Sequence, residues 1–130
     1  MKEISNIKKG AIGEKYTAKY LKRHKFRILA HNLRNRYSEI DIIAESKEYI
    51  VFVEVKTRRE NQPLRPSAAV NFAKQHKIMK AAKHYLSYTY TTLKQPRFDV
   101  AEVYLNDKNK VVRINYIENA FWQGGNYAVL

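Results

Sequence analysis

The sequence predicts an α/β fold, a mixed central sheet flanked by helices in the order helix, three strands, helix, two strands. Three observations predict it. Two stretches, Ile7 to about Lys25 and Ser67 to Tyr88, carry apolar residues at helical spacing. Tyr49 to Thr57 is a run of β-branched and aromatic residues. Short polar breaks, Glu45–Glu48 and Asn106–Asn109, separate strand-like segments in the manner of hairpins.

In the first helix, Ile7, Ala11, Glu14, Ala18 and Leu21 recur in steps of four and three, and lysines fill the other faces. Phe26–His31 reads as the first strand and Asn32–Tyr37 as a basic turn. Ser38–Ala44 follows as a strand in which Glu39 and Asp41 alternate with Ile40 and Ile42 until Ile43 breaks the pattern. Tyr49–Thr57 is the third strand, and Arg58–Arg65 reads as a basic loop. The second helix takes Ser67 as its N-cap, with Val70, Ala73, Ile78, Ala81, Ala82 and Tyr85 as the buried stripe. Arg97–Leu105 and Lys110–Ile117 form the last hairpin. Residues 1–130 make one domain, with ends expected to be loose at 1–6 and 122–130.

At 130 residues the chain can build one real core, burying roughly two-thirds of its unfolded surface. Apolar residues make up 45%, too many for a disordered chain. The absence of cysteine excludes disulfides and thiolate metal sites and fits a reducing compartment. No signal core or spanning apolar run is present, so the expectation is a cytoplasmic protein without a membrane partner. The formal charge of +13 on so small a domain attracts polyanions, nucleic acid first among them.

The chemistry lies in Phe52-Val53-Glu54-Val55-Lys56. Residues two apart on a strand share a face, about 7 Å apart, so Glu54 and Lys56 project together and Val51, Val53 and Val55 project away. A hairpin centred on Ser46-Lys47 pairs residue 44 with 49 and residue 41 with 52, which brings Asp41 to the face of Glu54. Adjacent carboxylates repel unless a cation lies between them. A hard divalent ion with oxygen ligands, Mg²⁺ or Mn²⁺, suits such a pair, with the Val55 carbonyl as a further donor. Lys56 would then orient or deprotonate water, or stabilise charge on a phosphate. Glu14, inside the apolar stripe of the first helix, is costly to bury unless paired and is a third acid for the site, able to reach the metal directly or through water if that helix packs beside the active strands. The same residues also suit a solvated strand face with a cross-strand ion pair, and a Glu14 at the stripe's edge.

These residues are similar to the PD-(D/E)xK nuclease superfamily and, more narrowly, to the bacterial YraN family, which is related to archaeal Holliday junction resolvases. The likeness rests on Gly13-Glu14 with Ala18 and Leu21, on Asn32 and Arg34, and on Glu39–Ala44 and Phe52–Arg58. It continues through Ala69-Val70-Asn71, Lys74, Ile78, Ala82, Tyr85-Leu86 and Arg97–Val100. Ile40 stands where the superfamily motif has proline, and Ser38 where the family has glycine. The resemblance implies a restriction endonuclease-like three-layer fold. It implies Asp41 and Glu54 as metal ligands, Lys56 as the catalytic lysine, Glu14 as the helix acid, and Lys74 or Gln75 as a phosphate contact.

Arg34, Arg36, Arg58, Arg59 and Arg65 bracket the site and are expected to grip phosphates. The four histidines, His24, His31, His76 and His84, lack zinc spacing. Of the ten tyrosines, Tyr85, Tyr88 and Tyr90 are expected to pack the end of the second helix. Asp99 is expected to pair with Arg97 or another arginine. The expectation is therefore a Mg²⁺- or Mn²⁺-dependent nuclease acting on nucleic acid, DNA favoured over RNA, with selectivity for a junction or flap. A two-fold dimer would suit symmetric cutting of two strands. The alternative is a nuclease fold that binds nucleic acid and recruits a partner without cutting.

Overall fold

A computed structural model describes residues 4–62, 71–89 and 94–121. The order is α1 (Asn6–Arg23), β1 (Arg27–Arg34), β2 (Glu39–Glu45), β3 (Tyr49–Arg59), α2 (Phe72–Tyr88), β4 (Gln95–Leu105) and β5 (Val111–Phe121). The strands form one sheet in the order β1-β2-β3-β4-β5. Every pair is antiparallel except β3 and β4, which run parallel and are joined through α2. This is the three-layer α/β arrangement of restriction endonuclease-like folds, with one helix on each face of the sheet. No helix among the described residues is long and apolar enough to cross a membrane.

Both faces of the central strands are covered, and this explains why their sequences alternate so poorly. Ala18 and Leu21 of α1 pack on Ile42, Ala44, Val51, Val53 and Ala101. Ile78, Met79, Ala81 and Ala82 of α2 pack on Ile43, Ile50, Phe52, Phe98 and Val100. Ile43 breaks the expected alternation because it faces α2 while Ile42 and Ala44 face α1.

Several expectations need correction. Ser5 caps α1 by accepting from the Lys8 N–H, so Ser5 and Asn6 belong to the helix start rather than to a loose end. Residues 1–3 and 122–130 lie outside the described residues. The buried stripe of α1 is Gly13, Thr17, Ala18 and Leu21, while Ile7 is 85% exposed. The reason is closeness. A Cβ added at Gly13 would sit 2.0 Å from Thr57 Oγ1 and 3.3 Å from Val55 Cγ1, so the helix lies against β3 where only small residues fit. Asn71, not Ser67, caps α2, accepting from the Lys74 N–H at 2.8 Å; Ser67, Arg65, Val70 and Tyr90 lie outside the described residues. In the α2 stripe Met79 is buried and Ala73 is exposed. Tyr85 meets Phe52 edge-on, but Tyr88, the last helical residue, is 77% exposed and touches the ring of His84. The strands also run longer than their apolar cores: β1 takes in Asn32–Arg34, and β3 takes in Arg58 and Arg59.

Asp99 is fully buried on β4. Arg97 donates to it through Nε and Nη2 at 3.0 and 2.9 Å, Tyr116 OH at 2.6 Å, and the Asn119 N–H at 2.8 Å. Arg97 in turn lies over the Tyr49 ring at 4.6 Å. A buried carboxylate so fully satisfied locks β4 to β5. The pairing with Arg97 read from the sequence is the one found.

The close crossing at Gly13 yields a test. Gly13→Ala should lower stability by about 1–3 kcal/mol in urea denaturation, despite alanine's better helix propensity, because the added methyl overlaps Thr57. Thr57→Ala in the same chain should recover part of that loss. An additive double variant would show that the contact is not the cause.

Candidate active site

The β2–β3 hairpin turns at Lys47-Glu48, where the Ser46 N–H donates to the Tyr49 carbonyl at 2.8 Å. This is one residue later than the turn expected from sequence. The register moves by two, so Ala44 pairs with Val51 and Ile42 with Val53. An even shift keeps every side chain on its face. Continued one step, this register sets Asp41 level with Glu54 rather than with Phe52.

The paired register of β2 and β3 ends at Ile42/Val53. Beyond it β2 stays with β1, through Arg34/Glu39, and β3 stays with β4, through Arg59/Leu105. Asp41 stands where the strands part. Its Oδ2 accepts the Val55 N–H at 2.7 Å and takes the place of a ladder carbonyl. Glu54 is buried, and its carboxyl donates a hydrogen bond to Asp41. Two lysines converge on Glu54 Oε2, Lys56 Nζ at 3.6 Å and Lys74 Nζ at 3.9 Å, the second from the first turn of α2.

Burial and the neighbouring Asp41 push the Glu54 carboxyl up to about 7, against the pull of Lys74 and Lys56. Burial also raises Asp41, opposed by the Val55 N–H and the Glu54 contact. Protonation of Glu54 relieves the repulsion between the two carboxyls, which a divalent cation would also relieve. Among the described residues no three His, Asp or Glu side chains form a ready-made cage. The donor set is two carboxylates with the Val55 carbonyl, and water would complete it, as suits Mg²⁺.

The family assignment follows from sequence. The pattern of the family described as Uncharacterised protein family UPF0102 matches residues 13–103, a span that holds Glu14, Asp41, Glu54 and Lys56. A UPF0102 protein of Caldanaerobacter subterraneus subsp. tengcongensis is 45% identical over 122 residues, 93% of this chain and 100% of the relative. One of Clostridium botulinum is 46% identical over 113 residues, 86% and 92% of the two chains. One of Clostridium acetobutylicum is 44% identical over 116 residues, 89% and 95%. The chain belongs to the UPF0102 family. This is the YraN family that its motifs resemble.

The UPF0102 fold brings Asp41, Glu54, Lys56 and Lys74 together and sets Glu14 at the margin. Glu14 is half-buried on α1, next to the close crossing at Gly13. Its pKa is raised by burial and by the charge of Asp41, and Asn32 offsets this with a hydrogen bond. Glu14 therefore feels the pair electrostatically and is held by β1. Gln75 is half-buried, one residue after Lys74. Arg34 and Arg36 are exposed around the β1–β2 turn, with Arg36 donating to Tyr37 OH at 2.9 Å. That turn is fastened to α2 by Asn35, which donates to the Ala81 carbonyl at 3.0 Å. Arg58 and Arg59 lie on β3, not in a loop, and Arg59 donates to the Asn106 carbonyl at 2.6 Å. His24, His76 and His84 meet tyrosine, phenylalanine or backbone, and no histidine joins the carboxylates.

Sequence reasoning missed three polar neighbours of the site. Asn32 holds Glu14, and Glu39 adds negative charge near both Glu14 and Asp41. Glu102 is level with Lys56 on β4, buried, and accepts from Asn115 at 2.9 Å and from Tyr104 OH at 3.4 Å. A lone acid within the apolar run Val100–Leu105 was the available signal.

The raised Glu54 pKa has a measurable consequence. In metal-free protein the folded chain keeps a proton between pH 4.5 and about 7 that the unfolded chain has released. Its contribution to stability is complete below pH 4.5 and is lost as pH rises through about 7. Glu54→Gln removes that dependence. The variant should match the native chain near pH 4.5 and exceed it above pH 7 by on the order of 3 kcal/mol. Urea denaturation at several pH values, in EDTA, measures the difference. A constant difference would mean that Glu54 ionises normally.

Proposed function

We propose that this UPF0102 protein is a metal-dependent nuclease that hydrolyses phosphodiester bonds, with DNA favoured over RNA and a junction or flap as preferred substrate. One observation carries the reading: Asp41 and Glu54 are pressed together at a parting of strands, with the Lys56 ammonium 3.6 Å from the second carboxylate. A surface built only to grip phosphates gains nothing from paired acids facing them. The net charge of +13 supplies attraction to a polyanion, and the acids are the exception that needs a chemical reason.

Asp41, Glu54 and the Val55 carbonyl would hold Mg²⁺ or Mn²⁺. The ion would supply Lewis-acid charge at the scissile phosphate. Lys56 orients the attacking water and stabilises negative charge that gathers on the phosphoryl oxygens as the water oxygen bonds to phosphorus and the ester oxygen departs. Lys74, on the first turn of α2, lies on the same side of Glu54 and supplies a second cation for a phosphate. Glu14 stands on the helix side within the field of Asp41 and would complete the site. The Val55 N–H fixes the Asp41 rotamer, so the pair is preorganised before substrate arrives.

The test joins binding and turnover. Labelled four-way junctions, flaps, single strands and duplex are incubated with Mg²⁺, Mn²⁺ or EDTA, beside Asp41→Ala and Lys56→Ala. Cutting should need metal and fall by about 10²-fold or more in each variant. Mg²⁺ should also raise the melting temperature of the native chain and not of Asp41→Ala. Cutting that survives both substitutions would reject the site. Tight binding without cutting under every condition would favour a recruitment module on a nuclease fold.

A further inference from the structure

The far end of β3 carries a second concavity on the side facing α1. It is a cleft of about 450 Å³ between the first turns of α1 and the end of the strand. Lys9 and Gly10 line it from the helix, and Lys56, Thr57, Arg58 and Arg59 from the strand. Asn6, Val55 and Gln62 complete the lining among the described residues, and none of these residues is acidic. Four of the nine lining residues are cations, in a wall that is mostly polar.

Three further features suit an anion. The first turn of α1 holds no acid, so the positive end of its backbone dipole is uncompensated. Gly10 leaves space: a Cβ added there meets nothing within 4 Å. Arg59 keeps its guanidinium in place through the Asn106 carbonyl, which fixes its charge at the rim.

We propose that this cleft is a phosphate-binding subsite for the nucleic-acid backbone, taking a phosphodiester group that flanks the one held at Asp41 and Glu54. It rests on the nucleic-acid reading above but not on catalysis. Lys56 borders both the carboxylate pair and the cleft, so a strand leaving the pair over the end of β3 meets Lys9 next. The shared chemistry is a phosphate group, and a free phosphate ion is the competing source.

Binding of a fluorescent single-stranded oligonucleotide is measured by anisotropy in EDTA, where no cutting can occur, over a range of salt. Lys9→Gln should weaken binding roughly three- to tenfold and reduce the salt slope by about 0.7–1. Lys19→Gln, on the exposed side of α1, is the control and should do less. Gly10→Glu should weaken binding about tenfold or more by placing a carboxylate in the cleft, whereas Gly10→Ala should bind as the native chain does. A peptide nucleic acid of the same sequence, with no phosphates, should not bind. Gly10→Glu binding as tightly as Gly10→Ala, with both folded by circular dichroism, overturns the proposal. Inorganic phosphate that binds in a Lys9-dependent way, beside oligonucleotide binding that ignores Lys9, assigns the cleft to free anions and overturns the backbone reading. Because cleavage is absent from the assay, loss of the nuclease reading and loss of this subsite are separate results.

Discussion

The hydrogen bond from the Val55 N–H to Asp41 is the interaction on which the rest of the site depends. Two antiparallel strands that separate leave backbone groups without partners, and a buried unpaired N–H is costly. Asp41 meets that need at 2.7 Å and is thereby fixed beside Glu54. The same parting leaves the edge of β3 that faced β2 without a strand partner past Val53, and the Val55 N–H on that edge takes Asp41 instead. One break in the sheet thus creates the carboxylate pair and orients it.

A break of this kind is tolerated only because the strands are secured elsewhere. Below it, Ile42, Val51 and Val53 are fully buried under α1, and Phe52 under α2. Beyond it, β3 keeps its parallel register with β4 as far as Arg59/Leu105. The Arg97–Asp99–Tyr116 network then ties β4 to β5 with charged groups that are each satisfied. Buried charge in this protein falls into two kinds. Asp99 is saturated with donors and has no capacity left for a ligand. Asp41 and Glu54 lie side by side, and burial raises the pKa of both.

How much of this was legible in the sequence depended on whether one residue or many carried the signal. The order of elements was readable because each strand and helix holds several concordant apolar positions. The shared face of Asp41, Glu54 and Lys56 survived an error in the hairpin turn, because displacing the turn by one residue moves the register by two. The faces of the helices were less legible. Periodicity pointed to Ile7 and Ala11, but Gly13, Thr17 and Ala18 face the sheet, since the close approach selects small residues and not apolar ones. Tyr88 misled for a similar reason: an aromatic at a helix end reads as core, while its exposure depends on where the helix stops. Asn32, Glu39 and Glu102 could not be placed before the strand neighbours were known.

The strand period explains why binding and chemistry crowd onto one segment. Along the end of β3, Glu54, Lys56 and Arg58 alternate with Val55, Thr57 and Arg59. Glu54 meets Lys56 and Lys74 of α2, Val55 and Thr57 meet Gly13 of α1, and Lys56 and Arg58 also border the cleft beside α1. Near Ile50–Val53 both sets are apolar because both helices press on the strand. Past the point where β2 departs, α1 still lies on Val55 and Thr57 at Gly13 and β4 stays paired, but the strand has lost β2, and the alternation delivers charged side chains. The transition from core to site is therefore a matter of coverage. The strand does not change its geometry; it outruns β2, and the residues that follow, Val55 to Arg59, are half-buried and mostly polar or charged.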